Sequence, residues 1–316
     1  MFKASWFSCR PSPLAAGSSH GLPGSHVALG QPRIALAAVA ALVGFPCSVV
    51  PAPPMEVGPF VEVMPPGFPS QDLVGFSMDA KAADLDGDQD LDLVIAHEFR
   101  PNILLLNNGH GGFSNASSDR LPQTHRDSED VGVGDFDGDA DLDIVIVTED
   151  DLVNELYLNV GGGFFVDASD RLPAEGRSNA VLVADVSGDR RPDILIGNNG
   201  QNVVLVGDGK GGFLDESAAR LPKTDDVTQD LELGDIDGDM DLDLLVGNED
   251  RNRILLNEGG TFEDVSEARL PVLVAPEETR EADFGDIDGD GDLDVFFANV
   301  RLFVAGSGPT ESAPVE

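Results

Sequence analysis

Residues 286–294 read Asp286-Ile287-Asp288-Gly289-Asp290-Gly291-Asp292-Leu293-Asp294, which puts five carboxylates in nine positions. Such a cluster repels itself unless a cation takes the charge. A hard divalent ion with roughly six to eight oxygen ligands suits it, which points to calcium. The alternate spacing aims Asp286, Asp288 and Asp290 into one concave loop, and Gly289 permits the tight turn. Asp292 is expected to lend its backbone carbonyl and Asp294 to close the cage. The stretch recurs as Asp84, Asp86, Asp88, Asp90 and Asp92, as Asp135, Asp137, Asp139, Asp141 and Asp143, and as Asp235, Asp237, Asp239, Asp241 and Asp243. A worn copy keeps Asp185, Asp189 and Asp193, with Ser187 and Arg191 at its remaining ligand positions. The reading is about one Ca2+ per repeat, up to five. The third site is the weakest, because Ser187 replaces a carboxylate and Arg190 and Arg191 add positive charge; fewer anionic ligands lower affinity.

The first aspartates step by 51, 50, 50 and 51 residues, and so regular a period signals a repeat architecture. An EF-hand loop needs a Glu at its twelfth place and flanking helices. The twelfth places here are Ile95, Ile146, Ile196, Val246 and Phe297, all apolar, so that reading fails.

Around the loops each repeat reads as four short strands. In the second copy they are expected at residues 131–134, 142–147, 154–159 and 164–168, with a polar turn at Glu149-Asp150-Asp151 and a glycine turn at Gly161-Gly162-Gly163. No helical spacing appears, so no helix is expected. The closing segments recur too: Gly111-Gly112-Phe113 leads to Arg120-Leu121-Pro122, Gly211-Gly212-Phe213 to Arg220-Leu221-Pro222, and Gly259-Gly260-Thr261-Phe262 to Arg269-Leu270-Pro271. Paired glycines supply positive backbone angles, Phe packs between sheets and Pro stops the strand.

Antiparallel four-stranded units repeated radially make a β-propeller. The last repeat ends after apolar runs at 295–298 and 301–304, without its Phe strand, while Gly58-Pro59-Phe60-Val61-Glu62-Val63 is an orphan strand of that type. The fold expected is therefore all-β: a five-bladed β-propeller of four-stranded antiparallel blades, closed by the N-terminal strand completing the last blade.

Residues 1–54 are a leader, 55–306 the propeller and 307–316 a disordered tail. The apolar run at 34–45, behind Lys3, Arg10 and Arg33, is 12 residues long: too short to span a bilayer, and suited to a signal-peptide core. Both cysteines, Cys9 and Cys47, precede the repeats, so disulfides do not hold the repeats together. The formal net charge is −39, and no acid precedes Glu56. Nucleic acid is excluded as a partner because phosphate binding needs a basic face, and direct binding to an anionic membrane is excluded likewise.

The stretches Gly134-Asp135-Phe136-Asp137-Gly138-Asp139 and 285–294 resemble the FG-GAP/VCBS repeats of integrin α-chain propellers and many exported bacterial proteins. The resemblance covers residues 57–305. It implies a propeller with calcium in the hairpin between the first and second strands of each blade, an extracytoplasmic setting (secreted, periplasmic or cell surface), and a binding or adhesive role. Two departures stand out. Integrin propellers have seven blades against the five counted here. The family's glycine at the sixth loop position is kept only as Gly291; Gln89, Ala140, Arg190 and Met240 replace it, so an altered shape is expected in those four loops.

Five residues before each first ligand stand Asp79, Asp130, Ala180, Asp230 and Glu281. If the innermost strand begins there, the four acids ring the channel mouth opposite the loops, where they either cap strand starts or receive a cation or basic partner. Catalysis has little support. His97, His110 and His125 are expected in turns; His97-Glu98 and His125-Arg126-Asp127 are the acid–base pairs available, and no nucleophile elbow, phosphate loop or zinc motif occurs. The leading function is an exported calcium-binding module for a protein or glycan. The alternatives are a polysaccharide-acting lyase or dehydratase, and a structural subunit of a surface assembly.

Overall fold

The computed structural model describes residues 68–69, 73–173, 176–271 and 278–300. The leader, the orphan strand at 58–63, the run at 301–304 and the tail lie outside the described residues. Four units carry four strands each: β1 Ser77–Ala83, β2 Asp92–Arg100, β3 Ile103–Asn107 and β4 Phe113–Asn115; β5 Arg126–Gly134, β6 Asp143–Thr148, β7 Glu155–Asn159 and β8 Phe165–Asp167; β9 Ser178–Ala184, β10 Asp193–Gly200, β11 Val203–Gly207 and β12 Phe213–Asp215; β13 Asp226–Gly234, β14 Asp243–Glu249, β15 Arg253–Asn257 and β16 Phe262–Asp264. A fifth unit contributes β17 Glu278–Gly285 and β18 Asp294–Val300. Every strand pair among them is antiparallel. The first two units join into one sheet through β2 and β5, and the last three into a second through β10–β13 and β14–β17. This repeating all-β arrangement is consistent with a β-propeller.

The core lies between units. Val94, Leu104 and Leu85 of the first unit pack with Ile144, Ile146 and Tyr157 of the second. Val145, Val147 and Leu156 pack with Val181, Ile194 and Leu205 of the third. Leu195 and Val204 pack with Leu231, Leu244 and Leu255 of the fourth. The second and third strands are apolar on both faces because each face meets a neighbour, the one-dimensional logic of repeat folds. The recurrent Phe follows suit: Phe213 sits edge-on to Phe136 at 5.5 Å. In the second unit an extra glycine shifts the role by one residue, so that Phe165 is buried and Phe164 exposed. Innermost strands approach closely at Gly132, where a Cβ would lie 2.6 Å from Val183 Cγ2.

Two expectations are corrected. One-turn helices do occur, at Ser117–Arg120, Ser217–Arg220 and Ser266–Arg269, with a 3-10 turn at Ser169–Arg171. An Asn or Asp two residues before each Ser produces them: Asn115 Oδ1 accepts from Ser117 N at 2.9 Å and Asp215 Oδ1 from Ser217 N at 3.0 Å. Each Ser Oγ then accepts from a strand N–H, as Ser117 does from Leu104 N at 2.9 Å. A single turn is too short to show helical periodicity. The innermost strands also start earlier than expected, at Ser77, Arg126, Ser178, Asp226 and Glu278. The register shifts between Ser128 and Asp130, between Thr228 and Asp230, and between Thr279 and Glu281. These β-bulges let polar residues continue the strand where alternation alone predicts an end. Among the described residues no helix is long and apolar enough to cross a membrane.

Candidate metal centre

Each acidic loop links an innermost strand to its neighbour in the same unit, as β5 runs through Asp135 into β6. The first aspartate shapes the turn. Asp135 accepts from Gly138 N at 2.8 Å, Asp139 N at 3.1 Å and Ala140 N at 3.0 Å. Asp84 accepts from Gly87 N at 2.9 Å and Gln89 N at 3.0 Å, and Asp286 from Gly289 N at 2.8 Å and Gly291 N at 3.1 Å. Donation to both oxygens pins the sixth residue in the left-handed region whatever its side chain. Its φ is 74° at Gln89, 75° at Ala140, 68° at Arg190 and 80° at Met240, beside 97° at Gly291. The altered loop shape expected from the missing glycines is therefore corrected. The backbone keeps its conformation, at a strain of about 1–2 kcal/mol per non-glycine residue.

Carboxylate oxygens of Asp84, Asp86 and Asp92 lie within 4.8 Å of one another, and so do those of Asp135, Asp137 and Asp143, of Asp235, Asp237 and Asp239, and of Asp286, Asp288 and Asp290. Asp86 Oδ1 and Asp137 Oδ1 are buried with no hydrogen-bond partner. Burial first, then the neighbouring Asp88 and Asp139, holds the Asp86 and Asp137 carboxyls above the usual range. Orphaned oxygens among convergent carboxylates fit a hard, oxygen-seeking cation such as calcium. Asp88, Asp139 and Asp239 each also accept from the backbone N–H two residues on, which are those of Asp90, Asp141 and Asp241 at 2.8–2.9 Å.

The last aspartate does more than close a cage. Asp143 is fully buried; its Oδ2 accepts from Phe136 N and its Oδ1 from Asn159 N, both at 2.8 Å. Asp243 repeats this with Ile236 N and Asn257 N, both at 2.8 Å, and Asp92 with Leu85 N and Asn107 N at 3.0 and 2.8 Å. The side chain thus ties the loop to the third strand. Burial pushes Asp143 up to about 7, against the pull of its two backbone donors.

The third loop keeps the turn but not the cluster. Asp185 accepts from Gly188 N at 2.8 Å and Arg190 N at 2.7 Å. Arg191 pairs with Asp189 and donates from Nε to Gly207 O at 3.0 Å. A guanidinium therefore already answers Asp189, whereas in the first loop the arginine, Arg120, lies 3.6 Å from Asp86 Oδ2 and leaves Asp86 Oδ1 without a partner.

The acidic positions upstream sit inside the innermost strands rather than at their starts, because each strand begins before its bulge. Asp130 Oδ2 accepts from Val181 N of the next unit at 2.7 Å, and Asp230 Oδ2 from Ala282 N at 2.7 Å. They join neighbouring innermost strands. Burial raises Asp130 to about 8, with Asp79 adding to it, and raises Asp230 to about 6. Asp79 lies 3.9 Å from Lys81, and burial raises Glu281 with Asp283 and Asp79 contributing.

His97 is not in a turn. It lies in β2, 2% exposed, paired with Ser77, and burial lowers its pKa. Its register equivalents, Thr148 and Asn248, are also buried polar residues, so the position is part of the unit's interior. Glu98, in the same strand, pairs in register with Asp127. Sequence reasoning missed the arginine of each Arg-Leu-Pro. Arg120 Nη1 donates to Gly162 O and Arg220 Nη1 to Gly260 O, both at 2.5 Å, bridging to the glycine hairpin of the following unit. The signal was the co-occurrence of that arginine with the paired glycines.

A search of known families matches this chain to the FG-GAP-like repeat over residues 84–146, 135–196, 185–246 and 235–297. Among curated proteins none matches. An Agrocybe aegerita lectin, described as recognising non-reducing terminal N-acetylglucosamine, has 22% identity and a TM-score of 0.37 over 58% of this chain and 49% of that one. The Photorhabdus luminescens Tc holotoxin pore has 21% identity and a TM-score of 0.42 over 75% of this chain and 11% of that one. The V. cholerae biofilm matrix protein Bap1 has 18% identity and a TM-score of 0.36 over 58% and 27%. This chain thus spans less than half the length of each of these structures.

Proposed function

The chain belongs to the FG-GAP-like repeat family, and from that premise we propose that it is an exported, calcium-stabilised, five-bladed β-propeller that binds a protein or glycan on the face opposite its loops. The observation that carries the calcium reading is the convergence of three carboxylates in four of the loops, with Asp86 Oδ1 and Asp137 Oδ1 buried and unpartnered. An ion there would be held by Asp84, Asp86 and Asp92 in the first loop, by Asp135, Asp137 and Asp143 in the second, and by the first three aspartates of the fourth and fifth loops. It would supply positive charge to loops that otherwise repel themselves. The third loop, with Arg191 on Asp189, fills last. Export suits this chemistry, since extracellular modules bind calcium with dissociation constants on the order of 10⁻⁴ to 10⁻³ M.

A closed ring is supported by charge acting across the ends of the repeat array. Burial raises Asp230, Glu232 and Glu281 in the fourth and fifth units; Lys81 of β1 opposes that rise in all three, and Asp79 adds to it at Glu281. Exposed apolar groups occur in the loops, as at Met240 and Ile287, and the binding face is read from a second, largely aromatic set away from them. Phe76, Met78 and Phe99 are 67%, 49% and 58% exposed at the start of β1 and the end of β2. Aromatic groups set among acids suit sugar rings or a basic peptide.

Two measurements test the reading. Calcium added to chelator-stripped protein raises Tm, because a ligand bound only to the folded state stabilises it; an unchanged Tm removes the calcium reading. Glycan-array and envelope pull-down binding is lost on Phe76→Ser plus Phe99→Ser with Tm retained. Retained binding moves the site elsewhere.

A further inference from the structure

The second unit carries a cluster of acids at the end remote from its loop. Asp127 and Glu129 open β5, and Glu149 follows β6. Their carboxylate oxygens lie within 4.8 Å of one another. Asp127 is 4% exposed and its Oδ1 is buried without a hydrogen-bond partner. The backbone holds the residue rigidly: Asp127 N donates to Asp151 Oδ2 at 2.8 Å and Asp127 O accepts from Glu149 N at 3.1 Å. Glu129 lies at the β-bulge between Ser128 and Asp130, an irregularity that re-aims a side chain.

The other units answer the same geometry without a triad of acids. In the fourth, register places Val227, Gln229 and Glu249 at the equivalent positions, and Gln229 Nε2 donates to Glu249 Oε1 at 3.1 Å. In the fifth, Glu278 is paired with Arg280 and Val300 stands at the third position. In the third, the residues are Arg177, Asn179 and Asn199. Nearby cations have closer partners outside the triad: Arg126 meets Glu155 at 3.4 Å, Arg177 meets Asp150 at 3.7 Å, and Arg280, which also acts on Glu129 electrostatically, meets Glu278 while donating to Gln229 at 2.9 Å.

We propose that Asp127, Glu129 and Glu149 form a further divalent-cation site, distinct from the repeat loops and on the opposite face of the second unit. Three carboxylates make an all-oxygen donor set, which selects calcium, magnesium or manganese over zinc or copper. Asp127 supplies the buried oxygen. Glu129 and Glu149 are partly exposed, so the ion keeps coordination positions open to water or to oxygen atoms of a partner. The site lies beside Glu98 and the exposed Phe99.

The test uses the full chain, stripped with chelator and titrated with Ca2+ alone by equilibrium dialysis. The double variant Asp127→Val, Glu129→Gln copies the fourth unit, so its fold has a precedent within the molecule. It is expected to bind one equivalent fewer than wild type while keeping the Tm gain that the loops confer. Equal stoichiometry overturns the proposal. Should the variant not fold, crystals of the wild-type chain grown with Mn2+ decide: an anomalous peak among the three carboxylates supports the site, and filled loops with a bare triad overturn it alone. A chain that binds no cation anywhere overturns this site and the loop reading together.

Discussion

Replacing Asp143 by Ala separates the two roles that its position combines. Asp143 is fully buried and takes Phe136 N and Asn159 N, both at 2.8 Å. Truncation leaves two buried N–H groups unpaired, at about 1–3 kcal/mol each. Removing a carboxylate that burial pushes up to about 7 returns part of that. The net expectation is a loss of about 3 kcal/mol, or about 6–12 °C in Tm for a domain of this size. This loss needs no metal, so it is read by thermal and urea unfolding in chelator. Asp137→Asn is the contrast. Asp137 Oδ1 has no donor, and burial first, then Asp139 and Asp135, disfavour the charge of this carboxylate. In chelator this variant is therefore neutral or slightly more stable than wild type, and only in calcium does it fall below. A loss under about 1 kcal/mol for Asp143→Ala in chelator refutes the staple role. A clear loss for Asp137→Asn in chelator refutes the claim that this oxygen waits for a cation.

Further outcomes follow from the same geometry. Ala140→Gly relieves a φ of 75° and is expected to stabilise by about 0.5–1 kcal/mol, after allowing for the greater freedom of glycine in the unfolded chain; urea unfolding reads it, and a loss of stability would show that Ala140 is unstrained. Arg220→Ala removes the donor to Gly260 O at 2.5 Å and the ion pair with Glu216 at 2.6 Å, which costs about 1–2 kcal/mol and speeds hydrogen exchange in the following unit's hairpin. Unchanged exchange there would rule out a clasp between units. In chelator, stability is expected to fall as pH rises from about 4 to about 8. Asp130, Glu232 and Asp230 are raised to about 8, 7 and 6, with burial the largest cause in each. The folded state then holds protons that the unfolded chain has released, so stability is greatest below the unfolded carboxylate range and declines through the folded values. Stability that rises across that window would contradict the burial of these acids.

The repeat, the loops and the order of strands were legible in the sequence because each is a local matter. Asp135 to Ala140 build their turn from hydrogen bonds spanning at most five residues, so spacing alone carries that geometry. Glutamine, alanine, arginine and methionine at the sixth place misled only about shape, since the first aspartate enforces the backbone that glycine would have preferred. The one-turn helices were hidden because their signal is an Asn or Asp two residues before a Ser, with no room for periodicity.

What only the tertiary structure decided are the relations between units. Asp130 and Asp230 read as channel-mouth acids, yet they bond the backbone of the next innermost strand. His97 read as a turn residue and is interior. The arginines of Arg-Leu-Pro read as strand ends and reach hairpins about forty residues away. Asp127 read as an acid–base candidate with His125 and Glu149 as a turn residue, yet a bulge and a strand register bring both together with Glu129. The reason is common to all four. A repeating pattern specifies the unit, because its contacts are near in the chain. Contacts between units depend on how far each sheet is turned against the next, and no periodicity within a unit encodes that angle.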